Sequence, residues 1–399
     1  MVSEPKKSSD AELTEKLARL ERIKRAARQQ ADLTRPDPEI LVKSANDVPN
    51  EKLHTMFGGR LVRGAFQLLV GPGEAGKGMG SVDIMARLST GSPFPGEGSK
   101  WRNPMTVLVC VTEDSESRVK ARLMAADADL KKVFFVSGKP ANRGGVIVPS
   151  PIAFDEDAGA LLKTANSLGA GALFLETFLE HLGDREGKKQ WSTNNEAEVR
   201  RALAPIVSVC RVGSLVGWGV MHPRKSSDGG IEDSISGSAA FRNVGRTVLH
   251  VYRDPNDSAS KNPWRLLMTS KSNYLAQRPP TLRFRIESWD KDPDEGRAVW
   301  GIEGKSLVDD RNAEDIWREI REAGKQRRDY TVRDAERFLA KILAKGQKTI
   351  DELKKAAEGE DITWRAVERA KENLGIESIK TGFPAKVVGW RLPPEDGDI

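Results

Sequence analysis

Between about residues 40 and 305 short apolar runs alternate with stretches of helical periodicity. Phe66–Val70 is a predicted strand, followed by a helix over Gly80–Leu88. The run Met105–Thr112 predicts a second strand, Ser115–Ala126 a helix and Lys132–Val136 a short strand. The series continues with a helix over Asp155–Leu168, a strand over Ala172–Leu175, a helix over Asn195–Cys210 and a strand over Leu215–Met221. Thr247–Tyr252 and Trp264–Ser270 are expected to close it. Runs that are continuously Val, Leu and Ile, spaced by amphipathic helices, belong to parallel sheets buried on both faces. The expected class is therefore α/β, a mostly parallel sheet with helices on both faces. The last strands are open to an antiparallel arrangement.

The two ends have different patterns. Leu13, Leu17, Leu20, Ala27 and Ala31 recur at helical spacing with Ile23 beside them, predicting a helix over Asp10–Ala31. Its apolar stripe is narrow, so the arm either stays solvated or docks on a neighbouring subunit. Arg35-Pro36-Asp37-Pro38 ends it as a linker. Residues 306–330 are charged and read as a helical connector, and Thr331 is expected to open a helix that stops at Gly346. Thr349 and Glu352 form a capping-box pattern for a second helix. Thr363 opens a third, ended by Gly375, and two β-like pieces follow near Ile376–Lys380 and Val387–Leu392. Three helices and a hairpin predict a small winged helix-turn-helix. The expected organisation is an arm over 1–35, a core over 36–305, the connector over 306–330, the winged module over 331–394 and a tail over 395–399. Arg365, Arg369 and Lys371 lie on the third helix, where a recognition helix presents side chains to DNA. Glu358, Glu360, Asp361, Glu368 and Glu372 balance them, so a protein-docking wing stays open. Phe383 and Trp390 are expected in the module's core.

Composition narrows the class further. The chain has 399 residues, long enough for two or three domains. Its 64 Lys and Arg against 58 Asp and Glu leave a charge of only +6, too small a surplus to identify an anionic partner. Two cysteines, Cys110 and Cys210, exclude a disulfide scaffold and any cysteine-based zinc module. The N-terminus has no apolar segment after its lysines, so no signal peptide is expected. The longest apolar stretch, Ile206–Val220, is interrupted by Arg211 and is too short to span a bilayer. A soluble, cytoplasmic protein without a membrane partner is expected.

The chemistry begins at Gly71-Pro72-Gly73-Glu74-Ala75-Gly76-Lys77, between a predicted strand and a predicted helix. This is most of a phosphate-binding P-loop. Backbone N–H groups freed by the glycines, the helix N-terminus and Lys77 all suit the phosphates of ATP. Gly71, Gly73, Glu74, Ala75, Gly76, Lys77, Gly78 and Met79 are the candidate cradle. Gly78 stands where a Ser or Thr hydroxyl ordinarily helps hold Mg2+, so phosphate binding is better supported than metal binding. Glu113 ends the strand 105–112, where a carboxylate can activate water, while Thr112 or Asp114 is expected to cap the next helix. The run Leu173-Phe174-Leu175-Glu176 has a Walker B pattern, making Glu176 the candidate metal ligand, with Glu in place of the usual Asp. His222 ends another strand, where it either senses a γ-phosphate or is structural. Two polar loops, Gly183–Asn195 and Arg224–Gly237, follow sheet strands.

The order GPGEAGKG, VLVCVTED, ALFLETFLEHLGD, VGWGVMHPRK, SGSAAFRNVGRTVLHVYRDPND and LLMTSKSN resembles the RecA-like ATPases of the plasmid hexameric helicase RepA family. The resemblance covers about residues 40–290, and the C-terminal segment resembles the winged module of phage relatives. It implies a RecA-like fold, a homo-oligomer that is a hexamer, ATP with Mg2+, and action on single-stranded and duplex DNA beside other replication proteins. Lys77 matches the phosphate lysine, Glu113 the catalytic glutamate, Glu176 the Walker B acid and His222 the second His of a His-His strand end. Arg246 matches an arginine finger reaching a neighbour's nucleotide, and Lys271 and Asn273 match a Lys-x-Asn strand end that faces nucleotide. The two polar loops match channel loops, with Lys188, Lys189, Arg224 and Lys225 as candidate phosphate contacts and Trp191 as a stacking group. Gly78, Glu176, Met221 and Ser236 depart from the family pattern. The implied activity is a replicative DNA helicase. A nucleotide-gated DNA-binding regulator or loader and a RecA-like recombination or repair ATPase are the alternatives.

Overall fold

The structure, a computed structural model, describes Glu21, Lys24 and residues 43–50, 52–143, 145–150, 152–182, 195–224, 229–237, 239–257, 260–301, 307–360, 362–382 and 385–393. The N-terminal helix expected over 10–31 lies outside these residues except at Glu21 and Lys24, both helical. The chain divides into two compact units, Met1–Lys52 and Leu53–Ile399. In the first, Ser44 caps a short 3-10 turn over Ala45–Asp47.

The second unit is built on a ten-stranded sheet. After a small hairpin of β1 (Thr55–Met56) and β2 (Leu61–Val62) come β3 (Ala65–Val70), β4 (Thr106–Val111) and β5 (Val133–Phe135). A separate hairpin of β6 (Lys139–Arg143) and β7 (Val146–Ser150) precedes β8 (Ala170–Glu176), β9 (Val216–Met221) and β10 (Thr247–Arg253). Across the sheet β10, β3, β9, β8, β4 and β5 all run parallel. Then β11 (Arg265–Ser272), β12 (Thr281–Trp289) and β13 (Asp292–Trp300) extend it antiparallel beyond β10, and β14 (Val308–Asp309) pairs with β12.

Alternation along each central strand feeds two cores. Val107 and Val109 face one side with Leu69, Phe174 and Trp218, where helices α1 (Lys77–Thr90) and α2 (Glu116–Ala125) contribute Val82, Met85, Leu88, Val119 and Leu123. Leu108 and Cys110 face the other with Phe66, Leu68 and Leu173, covered by α3 (Phe154–Ser167) and α4 (Glu196–Val212) through Leu161, Leu203 and Ile206. Burial pushes both cysteine thiols up to about 12, so they are core residues without thiolate chemistry. A short α5 (Ala239–Val244) follows.

The strand series does not close at Ser270, because β12 and β13 add two more. In β12, Leu282, Phe284 and Ile286 alternate with Arg283, Arg285 and Glu287, the pattern of a strand buried on one face only. Nor does Thr331 open a helix. A single helix, α6, runs from Ala313 to Leu343, so the expected boundary at 330/331 falls inside it. Asn312 caps its start by accepting from the N–H groups of Glu314 and Asp315. The rest of the C-terminal region is small. It comprises α7 (Ile350–Gly359), α8 (Trp364–Asn373) and an antiparallel sheet of β15 (Lys348–Thr349), β17 (Lys386–Arg391) and β16 (Glu377–Thr381). The capping box at Thr349 and Glu352 forms in both directions. Trp390 is buried in this core with Phe338, Leu339 and Val367, while Phe383 lies outside the described residues. No helix of the described residues is long and apolar enough to cross a membrane.

An ion-pair network holds the base of α6 to the sheet. Asp309 accepts from Arg283 Nε at 2.8 Å and Arg311 Nε at 2.9 Å, and Arg311 reaches Asp254 at 3.1 Å. Burial works against the Asp309 carboxylate, but the bonds from Arg311 and Arg283 outweigh it and hold the group at about 2. Asp309→Asn should therefore cost about 3 kcal/mol at neutral pH. Because the folded carboxyl titrates below its unfolded value, this contribution persists above pH 4 and disappears as pH falls through about 2. Urea unfolding of both proteins from neutral to acid pH should show their stabilities converging.

Candidate functional site

A cleft of about 370 Å³ opens at the carboxyl ends of the parallel strands. It is lined by the loop after β3, the first turn of α1 and the ends of β4, β8 and β9. Ligands of open parallel sheets bind at this edge.

The loop is shaped by close packing. A β-carbon on Gly71 would stand 2.4 Å from the Val251 carbonyl oxygen of β10, so only glycine lets the chain leave β3 there. Glu74 and Gly76 take positive φ, and Gly76 leads into α1. The N-cap is therefore a glycine without a capping side chain, and the first turn of α1 holds no acid. Free N–H groups and the helix dipole are left to an anion. Lys77 donates to the Pro72 carbonyl at 2.8 Å, folding its ammonium over the loop. Burial lowers its pKa, against the raising influence of Glu113 and Glu176.

Opposite the loop stand the strand-end side chains. His222 Nδ1 lies 3.5 Å from Lys77 Nζ, and His222 Nε2 lies 3.9 Å from Glu113 Oε1. Burial and Lys77 lower the His222 pKa, while Glu113 works to raise it. The histidine thus bridges the lysine and the glutamate. Thr112 clamps two strands: its hydroxyl donates to the Glu176 carbonyl at 2.9 Å and accepts from the Thr177 N–H at 3.1 Å. The Glu176 carboxyl is enclosed, which pushes its pKa up to about 7 against the lowering effects of a Ser81 hydrogen bond and Arg122. Its Oε1 has no hydrogen-bond partner among the described residues. Ser81 also accepts from Trp218 Nε1 at 3.0 Å, anchoring this corner in the core.

Gly73, Glu74, Gly76, Lys77, Gly78, Met79, Glu113, Glu176 and His222 line one cleft, and Gly71 and Ala75 complete its loop. Neither Thr112 nor Asp114 caps α2. Ser115 does, accepting from the Arg118 N–H at 3.3 Å, while Asp114 accepts from Arg122 at 2.6 Å. Arg122 and Ile286 line the cleft but carry no motif signal. Arg122 lies three residues after the buried Val119, a cation at the edge of a buried helical stripe, and that was the available clue.

The other candidates lie elsewhere. Arg246 is exposed at the start of β10, beside Phe66, and so at the opposite edge of the sheet. Lys271 sits near it, opposite Val248, and donates to the Arg242 carbonyl at 2.8 Å. Arg224 is exposed and its guanidinium donates to the Gly237 carbonyl. Lys188, Lys189, Trp191 and Lys225 lie outside the described residues, and Asn195 caps α4. On α8, Arg365 and Arg369 are exposed. Lys371 instead donates to Ser378 at 2.7 Å and covers the Trp390 ring.

Residues 30–228 match the family described as AAA domain, and no curated protein matches the chain. These residues form an AAA-type, RecA-like P-loop ATPase domain, with the capability for ATP and Mg2+ typical of that superfamily. The cradle fits a nucleotide triphosphate well. Its protein ligands for the metal are thinner: position 78 has no hydroxyl, which leaves the enclosed Glu176 at the Walker B position to hold the shell of a nucleotide-bound ion. Lys77→Ala should weaken ATP binding on the order of 10- to 100-fold in calorimetry. The melting temperature should barely move, because the ammonium's contacts among the described residues are a loop carbonyl and the exposed His222.

Proposed function

We propose that this AAA-type ATPase domain drives a DNA motor of the RepA-like helicase kind, working on single-stranded DNA as a ring of identical subunits. The observation that carries the reading is the separation of Lys77 from Arg246. Arg246 lies level with Phe66, five residues before Gly71 on a parallel pair of strands, so the P-loop begins roughly 16 Å away. An arginine side chain does not span that distance within one chain. It serves a nucleotide only when a neighbouring copy brings its own P-loop to that edge, as rings with composite sites do. Lys271 lies on the same edge and would join it.

In this reading Lys77 and the loop N–H groups hold the phosphates. Glu113 orients the attacking water, and His222, between Lys77 and Glu113, senses the terminal phosphate. The loops Gly183–Asn195 and Arg224–Gly237 would face the DNA. The C-terminal region would act as a winged helix, with Arg365 and Arg369 toward duplex phosphates. A nucleotide-gated DNA-binding regulator with weak turnover is the second reading. Gly78 and Glu176 favour it, because both depart from the usual metal-holding residues.

Arg246→Ala should keep ATP affinity and lose turnover at least about tenfold. A mixture of equal parts Lys77→Ala and Arg246→Ala chains should regain about a quarter of wild-type turnover, as random assembly recreates intact composite sites. No recovery would remove the shared-site argument. ATP binding without turnover, with or without single-stranded DNA, would select the regulator. Reversing charge at Arg365 and Arg369 together should weaken duplex binding and leave ATP hydrolysis in place; unchanged duplex binding would make α8 a protein-docking face.

A further inference from the structure

Position 78 opens onto a specific pair of groups. A β-carbon built on Gly78 would stand 3.9 Å from both Arg122 Nη1 and Glu176 Oε2. A Ser or Thr side chain would reach further into that gap, whereas glycine leaves it to the guanidinium. Arg122 comes from α2, across the cleft, and its side chain is only 15% exposed. Its Nη1 donates to Asp114 Oδ2 at 2.6 Å, its Nε lies 3.8 Å from Glu295 Oε2 of β13, and that Nε has no hydrogen-bond partner among the described residues. Asp114 is the more exposed partner, at 41%, so this bond is the easier one to exchange.

A metal ion beside a P-loop places positive charge against phosphate oxygens. A guanidinium does the same with a planar fork of donors that matches phosphate. Here the nearest nitrogen of the fork stands 3.9 Å from where a β-carbon at position 78 would lie, beside the enclosed Glu176 carboxyl.

We propose that Arg122 is the chain's built-in cation for the nucleotide: its guanidinium leaves Asp114 for phosphate oxygens beside Gly78, so that ATP binding depends on Arg122 and little on a divalent ion. The inference rests on the nucleotide reading above and adds a residue and an ion dependence to it. Arg122 is here a binding residue. The competing role is structural, a pin between α2, Asp114 and β13.

The test is calorimetric titration of ATP into the full chain, in excess EDTA and in excess Mg2+. Wild-type affinity should differ by less than about threefold between the two. Arg122→Ala should weaken ATP binding in EDTA by about tenfold or more, and Mg2+ should recover part of the loss. Asp114→Asn, which frees the guanidinium, should bind at least as tightly as wild type in EDTA. Gly78→Ser should lose affinity in EDTA by crowding the fork, which keeps the idea testable if Arg122→Ala does not fold. Wild type that binds ATP only with Mg2+ overturns the inference and leaves the nucleotide reading standing. So does Arg122→Ala that binds ATP like wild type in EDTA while its melting temperature falls, which marks the pin. Wild type that binds ATP in neither condition overturns both.

Discussion

Parallel pairing of β3 with β9 on one side and β10 on the other aligns three strand ends at one edge, and the chemistry of the cleft follows from that alignment. The Val251 carbonyl of β10 passes so close to Gly71 that the loop must turn there, which delivers Lys77 to the start of α1. Met221 of β9 pairs with Val70, so His222 emerges beside the loop. Glu176 of β8 pairs with Val111 of β4, and the Thr112 hydroxyl then locks both ends together. Residues up to 145 positions apart in sequence meet because their strands end in register.

The same alignment decides what was legible in the sequence. Strands buried on both faces are continuous runs of Val, Leu and Ile, so β3, β4, β8 and β9 stood out, and the groups at their ends could be named. Phosphate geometry constrains the loop so tightly that Gly71, Gly76 and Lys77 form a pattern of their own. The antiparallel β12 and β13 were hidden because one wet face mixes Arg, Glu and Asp into the run. Ser115 lost out as a cap to Thr112 and Asp114, which are equally good capping residues in isolation. Only the fold turns Thr112 toward β8 and Asp114 toward Arg122.

Arg122 shows why the remainder was not legible. Its importance comes from meeting Gly78 and Glu176, which lie on two other elements. Lys371 illustrates the converse. Helical spacing turns it away from the face of Arg365 and Arg369, and contacts with Ser378 and Trp390 draw it into the module's own packing. Periodicity reports which face of a helix a residue occupies. It does not report what the fold brings to that face.

The long helix α6 has a mechanical consequence. Its first turns pack Ile316 and Trp317 against Tyr252 and Leu266 of the sheet, and its last turns pack Phe338, Leu339 and Leu343 into the C-terminal core. Thirty-one residues without a break make a rod roughly 46 Å long. Near its base, Trp317 Nε1 donates to the Gly229 carbonyl at 3.0 Å, so the rod also grips the polar loop after β9. A tilt of about 10° at the base would swing the far end by roughly 8 Å. The C-terminal cluster is thus carried on a lever rather than a tether, and small displacements at the strand ends become large ones at its surface.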